Sequence, residues 1–199
     1  MIKKIFPTLC FFCLILCSFI LKPAHAIFLK LTTEQIQEAI EYGQKNKNIS
    51  IAAFSQPWTI SLDKGKGSAT LFTPFHNVAY KSRKSAVERR EFTNTDLLQA
   101  LEIGDTLAFS VTVYGDEDAF AKHYSAKLYQ EDEVIHPEFE FTPEIADASE
   151  FWPDSPSCTA RLVFKFPVKT IDVNKLITLV VVAPGGDETP FAFDLSKMK

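Results

Sequence analysis

Near Gly104 the hydrophobic period of this chain changes from mainly helical to two, and that change constrains the fold more than any other feature. Before it, apolar residues recur at helical spacing; after it, they alternate with polar ones at spacing two. Ile36, Ala39, Ile40 and Gly43 make one narrow helical face. Thr32 and Gln35 supply a capping box at its start, and Leu31 and Ile36 a hydrophobic staple. Thr73 and Pro74 open a second helix, running through Val78, Ala79, Ser82 and Ala86 to about Arg90. Thr93 and Asp96 open a third through Leu97, Leu98 and Leu101, which Gly104 stops. Between the first two helices, Trp58, Ile60 and Leu62 alternate with polar residues. Asp63–Gly67 then turns the chain into Ser68–Phe72, a hairpin pattern.

Beyond Gly104 the chain reads as short strands. Leu107, Phe109, Val111 and Val113 form one inward face, and Tyr124, Ala126 and Leu128 the next. Val134–Phe141 reads as a strand that Pro137 confines to a sheet edge. Ala160, Leu162, Phe164 and Phe166 alternate inward, and Leu176–Ala183 is apolar on both faces, so it is expected at a sheet centre. Pro184–Asp187 turns it into Phe191, Phe193 and Leu195. This spacing predicts a mainly β fold: an antiparallel β-sandwich of the immunoglobulin-like type, with an N-terminal segment of two or three helices packed on it. With 46% hydrophobic residues the chain is not disordered, and 7 Gly and 4 Cys exclude collagen-like and disulfide-scaffold folds.

The first 26 residues read as an export signal: Lys3 and Lys4, an apolar stretch from Ile5 to Leu21, then Ala24-His25-Ala26. Cleavage after Ala26 leaves one mature domain, 27–199, with a helical and hairpin part over 27–104 and a sandwich part over 105–199. It removes three lysines from the 21 basic residues and none of the 25 acids, so net charge falls from −4 to −7. That charge excludes nucleic acid as a partner, and no membrane span follows the signal. Three of the four cysteines lie in the signal. Cys158 is left alone and is expected as a small, partly buried residue at a strand start.

Candidate chemistry is sparse. Asp63-Lys-Gly-Lys-Gly-Ser68 fails as a phosphate loop because it leads into a strand rather than a helix. No paired-histidine zinc motif and no nucleophile elbow occur. His123 and His136 are expected to approach each other across paired strands, a weak metal or catalytic pair. Asp116, Asp118, Glu131 and Glu133 cluster in turns, where carboxylates bind Ca²⁺, serve a glycosidase, or simply keep strand edges solvated. Lys81, Arg83 and Lys84 form a basic island on the second helix, and Phe151-Trp152 is a bulky apolar pair in a polar loop. These five are the candidate interaction residues.

Thr73-Pro74-Phe75-His76-Asn77-Val78-Ala79, followed by Arg90-Glu91-Phe92-Thr93, resembles a pattern in uncharacterised exported bacterial proteins. The resemblance implies export and no particular activity. The expectation is an exported, non-catalytic binding or interaction protein of the bacterial cell envelope, periplasmic or surface-associated, needing no cofactor. Its ligand or envelope partner is left open. The alternatives are a secreted hydrolase using loop carboxylates or His123 and His136, and a Ca²⁺-stabilised envelope protein.

Overall fold

A computed structural model describes residues 30–102 and 105–199. The export signal expected over residues 1–26 therefore lies outside the described residues. Two antiparallel sheets and four helices make up the described chain.

The helices come first. Helix α1 (Thr33–Lys45) starts at Thr32, whose hydroxyl accepts from the Gln35 N–H while the Gln35 side chain accepts from the Thr32 N–H. Both bonds satisfy N–H groups that a helix start leaves free. Helix α2 (Ile51–Ser55), capped by Ser50, has too few apolar repeats to show as a period, and it brings the helix number above the expected two or three. Helix α3 (Pro74–Val87) begins at Thr73, and α4 (Asn94–Leu101) at a second capping box, Thr93 with Asp96. Helices α1 and α3 touch backbone to backbone. A Cβ on Gly43 would lie 2.2 Å from the Ala79 carbonyl oxygen, so only glycine fits this crossing. Ala39, Phe54, Trp58, Phe75, Val78 and Ala79 bury themselves in the space these helices enclose.

Strands β1 (Thr59–Ser61) and β2 (Ser68–Phe72) form the expected hairpin, with Ile60 opposite Ala69. Trp58 falls outside it, in a 3₁₀ turn facing the helices. The hairpin is not part of a separate helical unit: β2 pairs along β3 (Thr106–Gly115) and so completes a sheet made largely by the later chain. The remaining strands are β4 (Ser125–Gln130), β5 (Glu133–Ile135), β6 (Phe139–Phe141), β7 (Asp147–Ala148), β8 (Cys158–Pro167), β9 (Leu176–Val182) and β10 (Glu188–Asp194). One sheet has the order β1-β2-β3-β8-β6, with β7 also on β8; the other runs β10-β9-β4-β5.

The strand expected over Val134–Phe141 is in fact two. Its first part stays with β4, the chain passes through Pro137, and its second part joins β8 in the other sheet. Proline has no N–H to give a ladder, which suits a crossing between sheets. Alternate residues of the two sheets, among them Leu71, Phe109, Leu128, Phe164, Leu179 and Phe193, meet in one apolar cluster and are fully buried. Among the described residues, no helix is long and apolar enough to cross a membrane.

Candidate ligand-binding site

The ladder register fixes what the other face of the six-stranded sheet presents. Thr59 pairs Thr70 and Thr70 pairs Ser110; one step along, Ser61 pairs Ser68, Ser68 pairs Thr112 and Thr112 pairs Arg161. Side chains alternate along a strand, so the burial of Ala69, Val111 and Leu162 turns these residues outward. The result is two adjacent rows of hydroxyls, one of them ending at the Arg161 guanidinium.

The helical layer overhangs that face. Ser55 and Gln56 at the end of α2, and His76 and Tyr80 on α3, wall a cavity of about 580 Å³ whose floor is the hydroxyl rows. A second depression of about 350 Å³ shares Thr112 and Arg161 with it and continues past Thr159 and Asp147. No carboxylate lines the larger cavity.

Hydrogen bonding divides the lining into a used part and an unused one. Thr59 donates to the Ser55 carbonyl at 2.9 Å; its single O–H being spent, the 2.8 Å contact with Thr70 is a bond donated by Thr70. Ser61, Ser68, Ser110, Thr112 and Arg161 have no side-chain hydrogen bond or ion pair with any described residue. Tyr80, 37% exposed, makes no hydrogen bond from its hydroxyl to any described residue.

His76 closes the inner end. Its ring is 1% exposed and stands among Trp58, Phe72, Phe54 and Tyr80, with centroids 4.8, 5.2, 5.9 and 6.3 Å away. Burial pushes its pKa down to about 4, opposed in part by the Asn77 side chain, so the imidazole is neutral at pH 7. Nε2 lies 3.0 Å from Ser55 Oγ, while Nδ1 is buried without a hydrogen-bond partner. The Ser55–His76 contact joins the end of α2 to α3.

The residues singled out from sequence lie elsewhere. Asp116 accepts from the Ser157 N–H and the Ser155 hydroxyl, both at 2.9 Å, and these bonds lower its carboxyl pKa, the backbone one foremost. Asp118 lies 4.0 Å from the Cys158 thiol, which is buried at the first residue of β8 as expected. Glu131 and Glu133 bound a turn into which Lys175 reaches, 2.9 Å from Glu131 and 3.7 Å from Asp172. Among the described residues, no three His, Cys, Asp or Glu side chains are grouped to hold a metal ion.

The two histidines do not share a strand ladder. His123 precedes β4, in a turn with a φ of 66°, and His136 follows β5 one step past the pairing of Ile135 with Leu128. The basic island is occupied: Lys81 donates to Gln99, Arg83 to the Ile49 carbonyl, and Lys84 pairs Glu88 at 3.8 Å. Phe151 packs on Tyr114 at 5.7 Å and lies under the Lys64 ammonium at 5.0 Å, while Trp152 is 66% exposed. None of these residues lines the main cavity.

Sequence reasoning missed the cavity because it followed the inward half of each alternation. The outward half was readable: Ser68 and Thr70, then Ser110 and Thr112, are small hydroxyls where exposed strand positions ordinarily carry longer charged side chains.

No family model matches the chain, and no curated protein does. Among solved structures, the chain is similar to a protein of unknown function from Burkholderia pseudomallei, at 11% identity and a TM-score of 0.44, over 84% of this chain and 91% of that one. It is also similar to the archaellum periplasmic stator protein FlaG of Sulfolobus acidocaldarius, alone and in its complex with FlaF. Both matches have 10% identity and a TM-score of 0.28 over 45% of this chain, and cover 86% and 77% of those chains.

Proposed function

We propose that this chain is a non-catalytic binding protein of the bacterial cell envelope that holds a polar ligand in the trough between α2–α3 and the six-stranded sheet. One observation carries the reading: the lining of this cavity includes Ser61, Ser68, Ser110, Thr112 and Arg161, whose hydrogen-bonding groups no described residue uses. A concave site with a few convergent polar groups is where a small ligand gains most from burial. The Lys3-Lys4, apolar, Ala24-His25-Ala26 pattern supports export. The order β2-β3-β8-β6 opposite β5-β4-β9-β10 supports an immunoglobulin-like sandwich, with β5 as the strand added beside the central three. In such a frame the sheets are scaffold, and the overhanging helices shape the site.

The test is a ligand-observed NMR screen of polar fragments against the wild-type protein and Thr112→Trp, which fills the trough from its exposed floor. Binding should perturb amides of β2, β3 and α3 and disappear in the filled variant. Fragments binding equally well to both proteins would remove the trough as the site.

A further inference from the structure

We propose that the trough takes an acidic saccharide, a short run of pyranose rings bearing a carboxylate, with Arg161 holding the carboxylate and Tyr80 packing on a sugar face. The inference rests on the trough being the binding site and specifies what fills it.

The floor excludes most other ligand classes. A peptide docks by adding a strand to an open edge or by sinking apolar side chains into pockets. This floor is the face of a sheet, and the backbone groups of its inner strands β2, β3 and β8 are spent in ladders on both sides. Its side chains are the Ser and Thr hydroxyls, the Phe72 ring and Arg161. A nucleic acid needs a field of cations where the larger cavity has one arginine.

A saccharide satisfies what remains. Ser61, Ser68, Ser110 and Thr112 each offer a hydroxyl that rotates to donate or accept, matching ligand hydroxyls that do both. Pyranose rings also carry an apolar face of C–H groups, and the half-exposed Tyr80 ring at the wall offers an aromatic surface of that size. The charge follows from Arg161. Its fork of N–H donors pairs with no described residue, matches a carboxylate bidentately, and opens onto both depressions. Asp147 is the single acid in the second depression, and it makes no ion pair with Arg161. A volume of about 580 Å³ falls in the range of drug-sized ligand sites, large enough for an oligosaccharide rather than one ring.

The experiment titrates trigalacturonate and the neutral maltotriose, each followed by calorimetry and amide shifts, into wild type, Arg161→Ala, Arg161→Lys and Tyr80→Ala. Trigalacturonate should bind at least tenfold more tightly than maltotriose, with shifts on β2, β3 and β8. Arg161→Ala should remove that preference at an unchanged Tm, since Arg161 has no hydrogen bond or ion pair with any described residue to lose. Arg161→Lys should restore only part of it, and Tyr80→Ala should weaken both sugars. Equal binding of the two sugars, or no effect of Arg161→Ala, overturns the carboxylate assignment. Failure of either sugar to bind while other polar fragments shift trough amides overturns the saccharide and leaves the trough standing; fragments that bind elsewhere overturn both.

Discussion

At the scale of single residues, His76 is where the packing of this protein is most exposed to solution conditions. Its imidazole is boxed by four aromatic rings, and the buried Nδ1 has no partner to share a positive charge. Burial lowers its pKa from 6.5 to about 4, so the folded state takes up a proton less readily than the unfolded one. The contribution is therefore fully present above pH 6.5, declines as pH falls toward 4, and is gone below it. A shift of that size corresponds to about 3 kcal/mol. Urea unfolding at pH 7 and pH 4.5 should differ by about 2–3 kcal/mol more in wild type than in His76→Gln, which keeps a polar group near Ser55 but does not titrate. An identical pH slope in both proteins would show that His76 is not the titrating group. The sequence hid this role. The residue sits in Thr73–Ala79, a helix start by every local sign, and nothing there says that Phe54 and Trp58 of an earlier segment close over it. Its partner Ser55 is 21 positions away, beyond the reach of any local period.

At the scale of elements, the long amphipathic pieces were legible and the short ones were not. Alternation over Leu107–Val113 and Ala160–Phe166 located β3 and β8 because ten-residue strands repeat their pattern enough to be read. The five-residue α2 and three-residue β5 and β6 repeat too little, and their placement depends on partners distant in sequence. The acidic turns illustrate the same limit. From sequence, Asp116, Asp118 and Glu131–Glu133 were open to a Ca²⁺ reading; folded, Asp116 clamps the segment before β8 and Glu131 is taken by Lys175. Calcium at a hundredfold excess over its dissociation constant would add about 2.7 kcal/mol, a Tm rise of roughly 5–10 °C in a chain of this size. With Asp116 and Glu131 committed to protein donors, this protein should gain no more from millimolar Ca²⁺ than from millimolar Mg²⁺ in a thermal melt. A calcium-selective rise of about 5 °C, lost in Asp116→Asn, would return the calcium reading.

At the scale of the whole molecule, the trough exists only while two layers stay joined: the sheet supplies its floor and the helices its wall. The chain joins them three times over. Strand β2 runs into α3 with only Thr73 between. The Phe72 ring meets His76 across that junction. The main-chain oxygen of Lys199 accepts from Trp58 Nε1 at 2.8 Å and from Thr73 Oγ1 at 2.6 Å, while its ammonium pairs with Glu38 of α1 and lies over Phe75. Thr73 thus caps α3 through the His76 N–H and also holds the end of the chain against the helices. Thr73→Val keeps the shape and loses both roles. A lost cap costs about 1 kcal/mol and a lost hydrogen bond about as much again, together a fall of roughly 4–8 °C in Tm. Because the layers share these ties, helical and β signals should still disappear in one transition, with far-UV circular dichroism and Trp58 fluorescence (recorded in Trp152→Phe) coinciding. Fragment binding in the trough should weaken alongside stability, since a looser α3 carries His76 and Tyr80 away from the hydroxyl rows. Two separated transitions in the wild type would show instead that the helical layer folds on its own account, and the site would then have to be built from the sheet alone.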